Sequence, residues 1–331
     1  MALVKILLFL LFIPQLAWSQ ANVKEVNWLP NALQLKLACQ NPLNENSLNK
    51  YLQTQIIQEA NHVRPQHPIR AYITHFSVNE SFDTDSLIYG KIEIKLTYGL
   101  LRNDDTVHLH KSSHSLGYKR SCNNPQSIYK AIEKIAANSR IANNEWLSFE
   151  YGKNPKLAKQ VVIQFEELNG ISNKDTVFYS TIRPLNWQDF KGKPLGTRYG
   201  AVVFPAFSYT GKQAIVNDSL VVTVQLKVYM LPESSWLRSG HGTAYALEHE
   251  QRHFDIVRLA VEEFKRRVTS ESYFPEEYNG RLAFHYLKTL SFINKKQEAY
   301  DNDTQHGTNK ARQAIWNKRI TEEIRKLYDL E

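Results

Sequence analysis

Cysteine and long apolar runs are scarce in this sequence of 331 residues. Cys39 and Cys122 are its only cysteines, and a disulfide between them and two buried thiols are both compatible with the sequence. After the N-terminal region, no apolar run approaches the roughly 20 residues that a membrane-spanning helix needs. Internal repeats and low-complexity tracts are absent too, which excludes repeat architectures. The composition of the whole chain, with 42% hydrophobic and 22% charged residues, is typical of a folded protein.

The first residues are typical of a signal peptide. Lys5 precedes an apolar run from Ile6 to Ile13, and Ala17 and Ser19 place small residues where a signal peptidase reads them. We therefore expect residues 1–19 to be removed on export. No cysteine follows within the usual distance for lipid attachment, so we expect a periplasmic or extracellular protein with neither a lipid anchor nor a transmembrane segment.

The chain is basic, with a net charge of +8. Its Lys and Arg residues are scattered rather than aligned in a stripe, which argues against a nucleic-acid partner. The densest clusters, residues 265–267 and 318–319, lie late on amphipathic helices, where cations favour the helix C-terminus or a solvated face. An exported basic protein is better suited to anionic polymers or lipid head groups of the cell envelope.

Hydrophobic periodicity predicts an α+β protein of two domains that join near residue 170. In the first, residues 20–170, we expect a docking or substrate-selecting α+β domain. Its predicted helices are 48–60 and 128–142, and its predicted strands are 71–78, 87–98, 106–118 and 161–165. In the second, residues 171–331, strands 177–182, 201–209 and 220–230 precede helices 243–268, 276–300 and 310–328. We therefore expect a small antiparallel sheet followed by three C-terminal helices.

The motif H-E-x-x-H occupies residues 249–253 within the first of those three helices. His249 and His253 are one helical turn apart, so both imidazoles share a face, with Glu250 beside them. Two imidazoles suit zinc, and an adjacent carboxylate can take a proton from a metal-acidified water. The alternative is a pair of histidines satisfied within the core or at its rim.

A catalytic zinc site needs a third protein ligand, and several residues could supply it. Glu271, Glu276 and Glu277 follow at a suitable distance along the chain, without a distinctive setting. His306 is the better candidate because it lies on a turn before Gly307, between two predicted helices. Neither cysteine is placed to bind this metal.

Two further segments accompany the H-E-x-x-H motif. They are Trp187-x-Asp189-Phe190-x-Gly192-x-Pro194 and Tyr300-Asp301-x-x-Thr304-x-His306-Gly307. Together the three motifs resemble the family of predicted secreted zinc-dependent proteases called domain of unknown function 922, over about the second half of the chain. The resemblance implies a zincin-like domain in which His249, His253 and His306 bind Zn²⁺ and Glu250 is the general base.

The same resemblance includes Tyr300 and Asp301 without defining their roles. Tyr300 could donate to an oxyanion and Asp301 could orient a ligand imidazole, but a structural role at the helix end is equally compatible with the pattern. Trp187 and Phe190 are expected in the core or the wall of a cleft.

The sequence thus predicts an exported zinc metallopeptidase that hydrolyses peptide bonds in a peptide or protein substrate, which could be a component of the cell envelope. The alternative is a non-catalytic binding protein of the cell envelope with a structural metal site. Glu250 favours the enzyme, because a structural site needs no carboxylate between its ligands.

Overall fold

The computed structural model describes residues 23–28, 32–39, 45–57, 69–83, 87–102, 105–168, 170, 172, 175–196 and 199–328. The expected signal peptide, residues 1–19, lies outside this range. The fold is α+β, as predicted, and the chain divides into two compact units, Met1–Leu157 and Ala158–Glu331. The division falls earlier than position 170, because strand 160–167 pairs with a strand of the second unit.

The first unit is a five-stranded sheet with two helices. Its elements are β1 (Val23–Trp28), β2 (Leu33–Lys36), α1 (Glu45–Ile57), β3 (Ile69–Phe82), β4 (Ile88–Arg102), β5 (Asp105–Arg120) and α2 (Gln126–Glu150). Strands β3, β4 and β5 form an antiparallel meander, while β1 and β2 both pair in parallel with β3. Alternate residues of β3 and β4, such as Ile73 and Ile94, are buried together with the apolar faces of α1 and α2.

A disulfide joins Cys39, which follows β2, to Cys122, which follows β5. Their Cα atoms are 5.8 Å apart, within the usual range for a disulfide. Beside them, Glu80 forms a buried ion pair with Arg120 and accepts a hydrogen bond from the Tyr118 hydroxyl. The structure therefore selects the disulfide from the two states that the sequence left open.

The second unit contains a four-stranded sheet built around one central strand. The strands of the unit are β6 (Gln160–Glu167), β7 (Val177–Phe178), β8 (Ala201–Val202), β9 (Pro205–Val216), β10 (Ser219–Met230) and β11 (Trp236–Leu237), and the four-stranded sheet consists of β6, β7, β9 and β10. The central strand β10 pairs antiparallel with β9 and β7, as predicted, but parallel with β6, so the sheet is mixed. A two-residue turn with positive φ at Asn217 and Asp218 joins β9 to β10. A separate pair, β8 with β11, is antiparallel.

Three helices complete this unit, as predicted: α3 (Ala244–Thr269), α4 (Tyr278–Thr304) and α5 (Lys310–Leu327). Apolar residues at helical intervals along α3 predict a buried stripe, and its members Val257, Val261 and Phe264 are inaccessible to solvent and pack against the sheet. The hydrophobic period of α5 predicts a buried stripe of Ile315, Ile320, Ile324 and Leu327; Ile320 and Ile324 are buried, but Ile315 is 59% exposed while Gln313 is buried. None of the helices in the described ranges is long and apolar enough to cross a membrane.

Candidate metal centre

Both histidines of the H-E-x-x-H motif lie on the buried side of α3, in its second and third turns. The helix begins after Thr243, whose side chain accepts a hydrogen bond from the Ala246 N–H. His249 and His253 are only 7% and 8% exposed. Their rings meet edge to face with centroids 5.0 Å apart, so the helical spacing does place both imidazoles on one face.

Asp301, near the end of α4, completes a group of three potential metal ligands. Its Oδ1 atom is 3.2 Å from His249 Nε2 and 2.9 Å from His253 Nε2. All three ligand atoms lie within 4.8 Å of one another. Zinc ligands at about 2.0–2.1 Å in a tetrahedron are about 3.3 Å apart, so the two distances from Asp301 Oδ1 are close to those in a zinc site.

Asp301 belongs to the last turn of α4, because that helix continues to Thr304 rather than ending near Tyr300. Burial opposes its ionisation, but the two histidines more than offset burial and hold the pKa of the Asp301 carboxyl well below its usual range. The carboxylate is therefore negatively charged at neutral pH, as a metal ligand must be. Of the roles that the sequence left open, contact with the imidazoles is the one that the geometry supports.

His306 lies next to this group but does not belong to it. Its Nδ1 atom is 3.7 Å from Asp301 Oδ2, whereas the two other histidines contact Oδ1 of the same carboxylate. Residues 305–307 all have positive φ, which is uncommon for Gln305 and His306 and marks a constrained turn. The His306 N–H donates to the Asp301 carbonyl oxygen at 2.8 Å, and the ring lies beside Tyr199. The residue that the family resemblance implied as the third ligand, His306, therefore lies at the edge of the group.

Glu250 is buried and directed towards the backbone that follows β8. Its Oε2 atom accepts a hydrogen bond from the Val203 N–H at 2.8 Å. Burial raises the pKa of the Glu250 carboxyl, against the opposing influence of the two histidines and the Val203 N–H. A raised pKa brings a carboxylate closer to the range in which it works well as a general base at neutral pH.

Tyr300 forms one wall of the group rather than an exposed donor. Its ring stacks on His249 at 4.7 Å, meets His253 edge to face at 5.0 Å, and is fully buried. The Tyr300 hydroxyl has no hydrogen-bond partner within the described residues, and burial raises its pKa. Of the two roles that the sequence left open for Tyr300, its burial favours the structural one over donation to a substrate oxyanion.

Two residues that the sequence did not single out make hydrogen-bond contacts at or beside the group. Gln313 of α5 places its Oε1 atom 3.1 Å from His249 Nδ1. Tyr245, in the first turn of α3, donates from its hydroxyl to the Gly307 carbonyl oxygen at 2.8 Å. One signal could have revealed Gln313: it lies 7 and 11 residues before Ile320 and Ile324, on the buried face of α5.

The segment around Trp187 is structural. Asn186 and Asp189 cap the short helix 187–189 reciprocally, and Arg183 pairs with Asp189. Trp187 and Phe190 pack against each other in a hydrophobic cluster, as expected. A Cβ atom at Gly192 would lie 2.6 Å from the Glu233 carbonyl oxygen, so close backbone approach explains the glycine.

The three glutamates considered as third ligands interact with other residues. Glu271 pairs with Arg281 and His285, and the Glu277 side chain accepts a hydrogen bond from the Phe274 N–H.

A cleft of about 320 Å³ lies between α3, α4 and α5, from Ile256 onwards along α3 and beside Trp316. The α3 residues that line this cleft all follow His253 along the helix, so the cleft and the ligand group occupy different parts of α3.

Comparisons with known proteins add little to this geometry. No family model matches the chain, and no curated protein matches it. Solved structures with some similarity include a minor lipoprotein from Acinetobacter baumannii, at 10% identity over 37% of this chain and 94% of that one, with a TM-score of 0.22. A protein described as a lipoprotein from Caulobacter crescentus, at 12% identity over 35% and 91% of the two chains, also has a TM-score of 0.22. At this level the similarity defines neither fold nor function.

Proposed function

We propose that this protein is an exported zinc-dependent metallopeptidase whose centre is His249, His253 and Asp301, with Glu250 as general base. The observation that carries the proposal is the convergence of three ligand atoms within 4.8 Å, with Asp301 Oδ1 3.2 Å from His249 Nε2 and 2.9 Å from His253 Nε2, distances close to those between ligands of tetrahedral zinc. Two imidazole nitrogens and one carboxylate oxygen form a common catalytic ligand set that leaves a fourth position for water.

In the proposed mechanism the metal ligands and Glu250 have separate roles. Zinc bound by this group would acidify a water molecule and polarise the carbonyl of a peptide bond. Glu250, adjacent to His249 in sequence, would accept the proton of that water and pass it to the departing amine. Its hydrogen bond from the Val203 N–H holds the carboxylate in place, and this contact joins the base to the backbone beside β8.

Export is the second part of the proposal. Its support is the signal-peptide pattern of residues 1–19 together with the Cys39–Cys122 disulfide, because structural disulfides persist mainly in oxidising compartments. A peptide or protein in the cell envelope is then the substrate that such an enzyme would meet.

One observation favours a second candidate, a non-catalytic envelope-binding protein with a structural metal site. Glu250 is as buried as the ligands beside it and already has a backbone donor at 2.8 Å, so the carboxylate could serve only to fasten α3. In that case metal removal would lower stability while no hydrolysis is observed under any condition.

The test measures zinc per chain by mass spectrometry on the purified mature protein, with hydrolysis of an unstructured protein such as casein as the activity. We expect about one zinc in the wild type, and little in His249→Ala or Asp301→Ala. Glu250→Gln should keep the zinc and lose turnover by several orders of magnitude. Wild-type protein without zinc after reconstitution would refute the metal centre, whereas zinc without hydrolysis would favour the second candidate.

Two further variants define the ligand set. His285→Ala removes a buried histidine of α4 outside the group and should leave the zinc content unchanged. His306→Ala decides between the geometry and the family resemblance. Retention of zinc in this variant supports Asp301 as the third ligand, whereas its loss, with Asp301→Ala still loaded, would support His306.

A further inference from the structure

Gln313 is a polar side chain on the buried face of α5. It is 0% exposed, and the positions 7 and 11 residues further along the same face are the apolar Ile320 and Ile324. A buried amide is unfavourable in a protein unless it is hydrogen-bonded. The two contacts of this amide therefore show what it contributes at this position.

The orientation of the amide is set by the backbone of α3. Gln313 Nε2 donates to the carbonyl oxygen of Tyr245 at 3.5 Å, and a backbone carbonyl can only accept. Gln313 Oε1 therefore faces His249 Nδ1, at 3.1 Å. Because an amide oxygen is also only an acceptor, His249 satisfies this contact only if Nδ1 carries the proton.

This contact determines which atom of His249 is available to a metal. A neutral imidazole carries one N–H, so a proton on Nδ1 leaves the lone pair on Nε2. That Nε2 atom lies 3.2 Å from Asp301 Oδ1, itself an acceptor. A cation bound by both acceptors satisfies them together, and metal-binding histidines commonly donate their second ring N–H in this way.

We infer that Gln313 is a positioning residue that fixes His249 in the Nδ1–H tautomer and so tightens the binding of a divalent cation at Nε2. This inference rests on the proposed metal centre and extends it to a residue 64 positions away in sequence. Gly307 packs against this contact and leaves room for it, because a Cβ atom there would lie 3.3 Å from both Gln313 Oε1 and His249 Nδ1.

The experiment measures zinc affinity of the mature protein by competition with a chromophoric chelator, for the wild type, Gln313→Met and Gln313→Glu. Methionine keeps the length of the side chain but offers no strong acceptor, so affinity should fall about 10- to 100-fold. Glutamate restores an acceptor opposite Nδ1 and should bring the affinity back to within a few-fold of the wild type. Unchanged affinity in Gln313→Met, or equal losses in both variants, would overturn the inference.

The matched control is Gln55→Met, which makes the same change at a buried position in the first unit and should leave zinc affinity unchanged. Should Gln313→Met fail to fold, the histidine ring ¹H–¹⁵N correlations of zinc-loaded wild-type protein provide a second measurement, with His249→Gln for assignment. A proton on Nδ1 and zinc on Nε2 of His249 support the inference, and the reverse pattern overturns it. Wild-type protein that binds no zinc would instead remove the metal centre itself.

Discussion

Removal of the disulfide should destabilise the first unit strongly and leave the second unit unchanged. The bond joins Cys39 to Cys122 across 83 residues of sequence. For a loop of that length the chain-entropy relation gives about 4.5 kcal/mol at 25 °C, near the upper end of the roughly 2–5 kcal/mol measured when native disulfides are removed. At about 2–4 °C per kcal/mol for a unit of this size, the melting temperature should fall by roughly 10–20 °C.

The perturbation is the double variant Cys39→Ser/Cys122→Ser, which leaves no unpaired thiol. Thermal unfolding gives the size of the effect, and hydrogen exchange followed by mass spectrometry gives its location. Exchange from β4, in the centre of the first sheet, should accelerate by about a thousandfold, since about 1.4 kcal/mol corresponds to a factor of ten in the opening equilibrium. Exchange from β10, in the second unit, should be unchanged.

Two results would refute this reasoning. A loss of less than about 2 kcal/mol would mean that the bond does not restrict the unfolded chain as the loop length requires. Equal acceleration in β4 and β10 would mean that the two compact units do not unfold independently. Wild-type protein treated with a reducing agent is the matched control and should behave like the double variant.

Three other perturbations test separate parts of the structure. Phe264→Ala removes a fully buried ring from the second core and should cost about 3–5 kcal/mol in denaturant unfolding, with β4 exchange unaffected. Burial opposes ionisation of Glu80, but Arg120 and its other donors outweigh burial and hold the Glu80 pKa below its usual range. The resulting stabilisation is present above the unfolded pKa and is lost as the pH falls, so Glu80→Gln should flatten the acid dependence of first-unit stability, and an unchanged pH profile would contradict this. Zinc at about 100 times its dissociation constant should stabilise the wild type by about 2.7 kcal/mol but not His249→Ala, and equal shifts in both would place the zinc elsewhere.

Elements with a strong hydrophobic period were predictable from the sequence. The alternation along β10 and the helical stripe of α3 identified both elements to within two residues, because each pattern is local. The short strands β1 and β2 were missed, and β7 is shorter than predicted. Each of these strands exists through pairing with a distant partner, β3 or β10, which a local pattern does not record.

The candidate metal centre likewise has one part that a local sequence pattern predicts and another that depends on tertiary contacts. The spacing of His249 and His253 by itself determined that two imidazoles share one helix face, because the geometry of an α-helix leaves no alternative. Only the tertiary structure decided which side chains contact these two imidazoles. The continuation of α4 through Asp301 directs that carboxylate at both rings, and the packing of α5 brings Gln313 to His249. The residues in these contacts are 48 to 64 positions apart in sequence and lie on different helices. The contacts therefore depend on packing between helices rather than on spacing within one helix.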